Sequence, residues 1–418
     1  MDKLHKMRIF ILSQWMNIDG VEASLLGLLK ELDYSKVDVD LFLQHHTGPW
    51  MGEIPKEVNL LPEDPAVDRT GKSLARAKET HDRMSWWLTQ AARYVAAFWY
   101  RILHRCKVDE IGYGQIGWEF KKHLLPKSLG RGRYDLCLIF GGAPGLARLV
   151  DAKVKAAWIH IDWSFFKPIR FLARRQFANL DYVVNVSDSA REAFDRTVRL
   201  PQSVKSITIE NCLSPRWMFS RAKAYDIPVC KTLKLLSVGR ISAQKRFDRA
   251  LEAAKILQQR GVDFKWIIVG GGEGVDELSA AASTSGLGNK FILAGQTDNP
   301  YPYYKWCDIL VCTSDYEGKS VAVREAQIFA KPAVVTKFAT AASQVEDGVD
   351  GILVERTPEA VADGIEKLMR DAALRDALSA NCRKRDYANI DVPDKILSLG
   401  KYASPVCQKT TKQLMSEN

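Results

Sequence analysis

Met7-Arg-Ile-Phe-Ile-Leu12 leaves no room for a hydrophilic face, so it reads as a strand buried on both sides. Such a strand needs helices above and below it, which points to a mostly parallel sheet. A loop, Ser13 to Gly20, and an apolar-periodic helix, Val21 to Leu32, complete the first unit of a doubly wound α/β sheet. Further strands are predicted at Val37 to Leu43, Tyr134 to Phe140, Ala156 to Asp162, Tyr182 to Val186 and Ser206 to Glu210. Ser214 to Lys231, with Pro215 and Pro228, reads as an irregular linker. A second series follows, with strands at Leu233 to Val238, Trp266 to Gly270, Phe291 to Ala294, Ile309 to Cys312, Ala333 to Thr336 and Gly351 to Val354. Helices are predicted at Phe247 to Arg260, Pro358 to Arg370 and Ala373 to Arg383. The domains are placed at residues 1–215, 216–385 and a C-terminal segment 386–418 whose final residues fray.

The second series carries the chemistry. Asp315-Tyr-Glu-Gly-Lys-Ser-Val-Ala-Val-Arg-Glu-Ala326 follows the Ile309 to Cys312 strand and opens a helix near Ser320. Gly318 and Ser320 let backbone approach a ligand, and the amides and positive dipole end of the helix suit a phosphate. Of Glu317 before the helix and Glu325 inside it, one can meet a sugar hydroxyl while the other reaches a ribose; the alternative is an ordinary helix N-terminus with acidic residues in its first turns. Arg240 and Lys245 flank a loop that opens a helix, an arrangement fit to clamp a diphosphate. Gly270 to Gly274 is a tight turn lacking both GKS/T and GxGxxG. In the first series, Gly20 sits where a backbone N–H can meet a phosphate, the alternative being a glycine needed only for the turn; His160 lies at the carboxyl end of a strand, where open α/β sheets place ligands, the alternative being a structural histidine. Asp38 and Asp40 spell DxD, but they alternate along a strand start and read as solvent-side residues rather than metal ligands.

The net charge is +10, and the window Arg69 to Arg133 holds fourteen Lys/Arg against five Asp/Glu. An acidic partner should therefore meet the N-terminal half, and nucleic acid is not expected. Residues 62–133 interrupt the α/β rhythm with a basic aromatic insertion containing Trp86, Trp87, Arg93, Arg101 and Arg105. Arg93 and Arg101 would both lie within any bilayer span, which argues against a transmembrane helix. An amphipathic helix in a membrane interface fits, each basic residue near an anionic surface adding roughly 1 kcal/mol. The alternative is a helix whose aromatic side packs on its own domain. The eight Cys form no CxxC pair, and Cys137, Cys307 and Cys312 read as small core residues. Met1 to Lys6 has no apolar signal-peptide core, and a reducing cytoplasm is expected.

Together, Gly239-Arg240…Lys245, Val269-Gly270-Gly271-Gly272, Glu317-Gly318…Glu325-Ala326 and Lys331-Pro332-Ala333-Val334-Val335 resemble the donor domain of GT-B glycosyltransferases of family 4. Asp19-Gly20-Val21-Glu22 resembles that family's glycine loop, and Trp158-Ile159-His160-Ile161-Asp162 resembles capsule and exopolysaccharide members. The resemblance implies two Rossmann-like domains facing across a cleft, with the last helix crossing back onto the first. It implies that Arg240 and Lys245 bind the donor diphosphate. Glu325 would hold the ribose and Glu317 would face the sugar. Ser320 and Val321 would supply amides, and His160 would stand near the reaction centre. Asp19 replaces the first glycine of the usual pair, and Lys319 departs from the usual residues after Glu-Gly. The implied activity is retaining, metal-free transfer from a nucleotide-sugar to a saccharide or lipid-linked saccharide at the inner leaflet. The alternatives are a membrane-associated scaffold with a degenerate nucleotide pocket, or a nucleotide-sugar epimerase of the same shape.

Overall fold

The computed structural model describes residues 6–67, 110–228 and 231–401, together with Arg83, Met84, Trp86, Trp87, Gln90, Ala91, Tyr94, Val95 and Phe98. The predicted residues Arg93, Arg101 and Arg105 lie outside the described set. The chain divides into two compact units. The first is Met1–Asn17, Leu32–Ile209 and Val392–Asn418, and the second is Ile18–Glu31 and Glu210–Asp391.

The first unit is built on a seven-stranded sheet. Its strands are β1 (Met7–Ser13), β2 (Val37–Leu43), β3 (Asn59–Leu61), β4 (Leu129–Ile139), β5 (Val150–Ile159), β6 (Tyr182–Asn185) and β7 (Lys205–Thr208). They lie in the order β3-β2-β1-β4-β5-β6-β7, every pairing parallel. The second unit holds β8 (Leu233–Val238), β9 (Phe264–Val269), β10 (Phe291–Gly295), β11 (Ile309–Cys312), β12 (Ala333–Thr336) and β13 (Gly351–Val354). Their order is β10-β9-β8-β11-β12-β13, again all parallel. In each sheet the strand order reverses beside the first strand, and ligands of open α/β sheets bind beyond the carboxyl ends at that reversal. For the second unit the reversal lies between β8 and β11, the strands that precede Gly239-Arg240 and Thr313 to Glu317.

Burial explains why the strands are legible in the sequence. Residues Ile309 to Cys312 and Ala333 to Thr336 are buried throughout, and Phe264, Trp266 and Ile268 pack with Ala250, Ala254 and Leu257 of the helix Phe247–Gln259. Cys137, Cys307 and Cys312 are free and buried, and burial pushes the Cys137 and Cys307 thiols up to about 12.

Four features depart from expectation. The stretch read as linker contains the helix Pro215–Arg221, started by Ser214, whose hydroxyl accepts from Trp217 N. Pro215 is therefore a helix-starting residue rather than a breaker. Three-residue β3 was too short to announce itself. Asp40 is not solvent-side: it accepts from the Tyr134 hydroxyl and from Asn59 Nδ2 at 2.6 Å, because a half-buried carboxylate needs partners. The helix Gly20–Glu31 belongs to the second unit, where a Cβ on Gly27 would come within 2.3 Å of the Cys212 carbonyl oxygen. Ser214 Oγ donates to Glu31 Oε1 at 2.5 Å, and Lys30 lies 5.4 Å over the Trp217 ring. At the other end of the chain, the helix Val392–Lys401 packs in the first unit. There a Cβ on Gly400 would meet the Met7 side chain and Leu136.

Candidate donor site in the second unit

Strand β8 runs out into Gly239, and the Gly270 turn after β9 lies directly on it. A Cβ at Gly270 would sit 1.9 Å from the Gly239 carbonyl oxygen, and its φ of 157° favours glycine. Gly239 N donates to Val269 O at 3.0 Å and Ile241 N to Gly271 O at 2.8 Å. The glycine run therefore holds the Arg240 loop by backbone contact.

The same loop is tied on its other side to the segment after β11. Asp315 N donates to Gln244 O at 2.9 Å, Thr313 Oγ1 to Lys245 O at 2.8 Å and Gln244 Nε2 to Tyr316 O at 2.7 Å. Buried Arg249 reaches Asp315 Oδ1 at 2.7 Å and Thr313 O at 2.6 Å. These bonds bring Lys245 to Glu317, Nζ to Oε1 at 2.6 Å, with Ser314 Oγ donating to the same oxygen at 2.7 Å. Burial pulls the Lys245 pKa down, but the Glu317 carboxylate outweighs this and holds it above its ordinary value. The ammonium is therefore charged across the physiological range.

Arg240 is exposed, and its guanidinium pairs with Asp19 Oδ2. Gly20 N donates to Asp19 Oδ1 at 2.7 Å, so that amide is already bonded rather than open to a phosphate. Gly20 also lies against the second helix start: a Cβ there would be 3.1 Å from Val321 Cγ2.

Ser320 precedes the helix Val321–Ile328 but does not offer its amide. Its N–H donates to Gln344 Oε1 at 2.9 Å, and Gln344 Nε2 donates back to Ser320 O. A buried amide needs a partner, and here a side chain supplies it, so only Val321 remains as a candidate backbone donor. The Ser320 hydroxyl is buried with no partner among the described residues.

Glu325 is enclosed. Its carboxylate accepts from Tyr304 at 2.7 Å and Tyr301 at 3.2 Å. Burial raises its pKa to about 7 against the lowering effect of the two hydroxyls. The carboxylate assigned to a ribose thus carries two tyrosine hydrogen bonds. Lys319, the departure from the family pattern, is buried and pairs with Glu210, which also takes Arg324 at 3.2 Å and Asn389 Nδ2 at 3.3 Å.

In the first unit, His160 follows β5. Its Nε2 lies 2.9 Å from Phe140 O, and since a carbonyl only accepts, Nε2 carries the proton. The ring stacks on Trp158 at 6.0 Å between centroids. At residues 83–98 the described positions are helical. Val95 packs with Ile116, Leu172 and Ile169, while Met84, Trp87, Tyr94 and Phe98 are exposed, Tyr94 to 74%. Trp86 meets Trp87 edge-on at 5.0 Å. Among the described residues, Trp87, Tyr94 and Phe98 are thus exposed while Val95 on the same side packs on the domain, so both expectations for this helix stay open.

Sequence reasoning missed Gln244, Ser314, Gln344, Tyr301 and Tyr304. Gln244 stood inside the Gly239 to Lys245 motif, and Ser314 directly before the one that begins at Asp315. Nothing local marks Gln344, which acts from 24 residues away.

A family model described as glycosyl transferases group 1 matches residues 229–385. The second unit carries a group 1 glycosyltransferase domain. The chain is 30% identical over 151 residues to the alpha-D-kanosaminyltransferase of Streptomyces kanamyceticus, covering 35% of this chain and 39% of that protein. It is 29% identical over 152 residues to the capsular polysaccharide biosynthesis glycosyltransferase CapM of Staphylococcus aureus, covering 35% and 40%. It thus spans about two fifths of the length of these relatives. Among solved structures, S. aureus TarM in complex with fondaparinux, alpha-GlcNAc-glycerol and UDP superposes with a TM-score of 0.64 at 15% identity, over 95% of this chain and 100% of that one. Anabaena HepE in complex with UDP and glucose gives 0.62 at 16%, over 98% and 100%. At those identities the likeness establishes the GT-B fold, two Rossmann-like domains of which the group 1 domain is the second.

Proposed function

We propose that the chain is a retaining, metal-independent glycosyltransferase of family 4 type. It would move a sugar from a UDP-sugar to a saccharide or lipid-linked saccharide in cell-surface polysaccharide synthesis. The observation that carries this reading is the clustering of Lys245, Glu317 and Ser314 at the β8/β11 reversal of a group 1 domain, with Arg240 on the same loop. The names of the relatives, a capsular polysaccharide enzyme among them, agree with it.

Arg240 and Lys245 offset the charge that develops on the leaving diphosphate, and each charge-assisted hydrogen bond contributes about 1.5–3 kcal/mol. Two fixed cations leave no requirement for a metal in this role. Glu317, held by Lys245 and Ser314, orients the donor sugar, and His160 is assigned the same task from the first unit. The acceptor hydroxyl attacks from the face the nucleotide leaves, and a leaving-group oxygen takes its proton.

The test is a screen of UDP-, GDP- and ADP-sugars by thermal shift and calorimetry, followed by NMR of the anomeric product. Binding of one nucleotide-sugar and a retained anomeric configuration, unchanged in EDTA, is the expected result. An inverted product removes the retaining assignment, and loss of rate in EDTA removes metal independence. Failure of every nucleotide-sugar to bind would favour the scaffold alternative, for which the enclosure of Glu325 by tyrosines and the occupation of Arg240 by Asp19 speak.

The acceptor side is assigned to a membrane interface. Trp87, Tyr94 and Phe98 are exposed along one stripe, and the neighbouring helix Arg170–Phe177 exposes Arg170, Phe171, Arg174 and Arg175. Its Leu172 packs with Val95, so the two helices are adjacent. Among the described residues no helix is long and apolar enough to cross a membrane, and a peripheral attachment to the inner leaflet is the form proposed. Trp87→Ser, Tyr94→Ser and Phe98→Ser together should cut binding to vesicles containing anionic lipid by at least about tenfold, on the order of 0.5–1 kcal/mol for each interfacial aromatic. Unchanged co-sedimentation would refute the membrane role.

A further inference from the structure

Asp19 stands where the family pattern has a glycine, and it does more than begin a helix. Its carbonyl oxygen accepts from Ala23 N at 3.0 Å, which places it as the cap of Gly20–Glu31. A capping aspartate ordinarily turns its carboxylate to the amides two or three residues on. Here Oδ1 takes the adjacent Gly20 amide, and Oδ2 reaches the Arg240 guanidinium, 221 residues away in sequence. A carboxylate and a phosphate present the same kind of acceptor to a guanidinium. We propose that Asp19 is an internal stand-in for the donor's diphosphate: it holds Arg240 until a nucleotide-sugar displaces it, and so sets how tightly a nucleoside diphosphate is gripped.

The inference rests on the reading of Arg240 as a diphosphate ligand. Two features favour displacement over a fixed structural pair. The side chains are 60% and 42% exposed, so water can take over either partner. The loop also lies beside Val321 at a helix start, whose dipole favours an anion, and a diphosphate brings more negative charge to it than one carboxylate does. Lys245 differs, since its carboxylate partner Glu317 is buried and held by Ser314. The donor site then has one cation permanently paired and one kept by an exchangeable anion.

Calorimetry with UDP, GDP and ADP on the full chain tests this. The proteins are wild type, Asp19→Asn, Arg240→Gln and the double variant. For the nucleotide that binds, Asp19→Asn should tighten the Kd by roughly three- to tenfold, the scale of an exposed ion pair plus relief of like-charge repulsion. In the Arg240→Gln background the same change should alter the Kd less than about twofold, since the coupling has been removed. Unchanged or weaker binding by Asp19→Asn overturns the stand-in role. So does equal tightening with and without Arg240, which would be an effect of bulk charge. Should wild type and Asp19→Asn both bind no nucleoside diphosphate, the donor-site reading fails and takes this inference with it. If wild type binds and only the coupling is missing, the donor-site reading stands and the inference alone is lost.

Discussion

Lys245→Ala should lower the rate of sugar transfer by about 10²–10³, the loss seen when one preorganised donor to a developing negative charge is removed. The side chain is placed for that role by bonds along the loop, not by its own contacts alone. Gly270 supports the loop from one side, and Thr313, Gln244 and Asp315 fix it from the other. Truncation has a second effect, because Glu317 would keep a buried negative charge without its ammonium. Stability should therefore fall together with activity. The double variant Lys245→Ala/Glu317→Gln separates the two effects: it relieves the buried charge and should regain melting temperature, but not transfer. A kcat of Lys245→Ala within about threefold of wild type would remove Lys245 from the reaction, since each tenfold corresponds to about 1.4 kcal/mol of barrier. Recovery of transfer in the double variant would show that Lys245 matters only as the partner of Glu317.

Glu325→Gln should make the protein more stable than wild type at pH 9 and leave it nearly unchanged at pH 5. Burial raises the Glu325 carboxyl from 4.5 to about 7, so the folded state binds this proton more tightly than the unfolded one. The stabilisation tied to that proton is full below about pH 4.5 and is lost as the pH rises through about 7. Above that range wild type must carry a buried carboxylate, which the tyrosine hydroxyls only partly solvate. A neutral glutamine avoids the cost at every pH. The difference should approach about 3 kcal/mol in denaturant unfolding at pH 9, because each tenfold change in proton affinity is worth about 1.4 kcal/mol. A gap between the two proteins that does not change from pH 5 to pH 9 would contradict the raised carboxyl pKa. Other titrating groups are common to both chains and cancel in the comparison.

The residues that were legible and those that were not differ in a physical way. Leu233–Val238, Ile309–Cys312 and Val37–Leu43 fall on the bounds read from sequence, because each carries an apolar run where it is buried, Ile309–Cys312 along its whole length. The Lys245 and Glu317 motifs were visible because each lies next to such a strand at the point where the sheet reverses. What could not be read was pairing at a distance. Asp40 looked like a surface residue until Tyr134 arrived from 94 positions away. Ser320 looked like a phosphate donor until Gln344 took its amide, and Glu325 was placed on its helix without its tyrosines. The helix Pro215–Arg221 was hidden by its seven-residue length, which spans too few turns for a periodic signal. Its Ser-Pro start was the clue at hand.

The second unit is not a continuous piece of chain, since the helix Gly20–Glu31 leaves the ribosome almost 180 residues before Glu210. A nascent chain must keep that helix soluble while the intervening sheet is made, and only then can Gly27 settle against Cys212 and Gly20 against Val321. An excised fragment 210–391 would be born without it, and so without Asp19. Any attempt to express the second unit separately has to carry residues 18–31 along, by fusion or by adding them in trans.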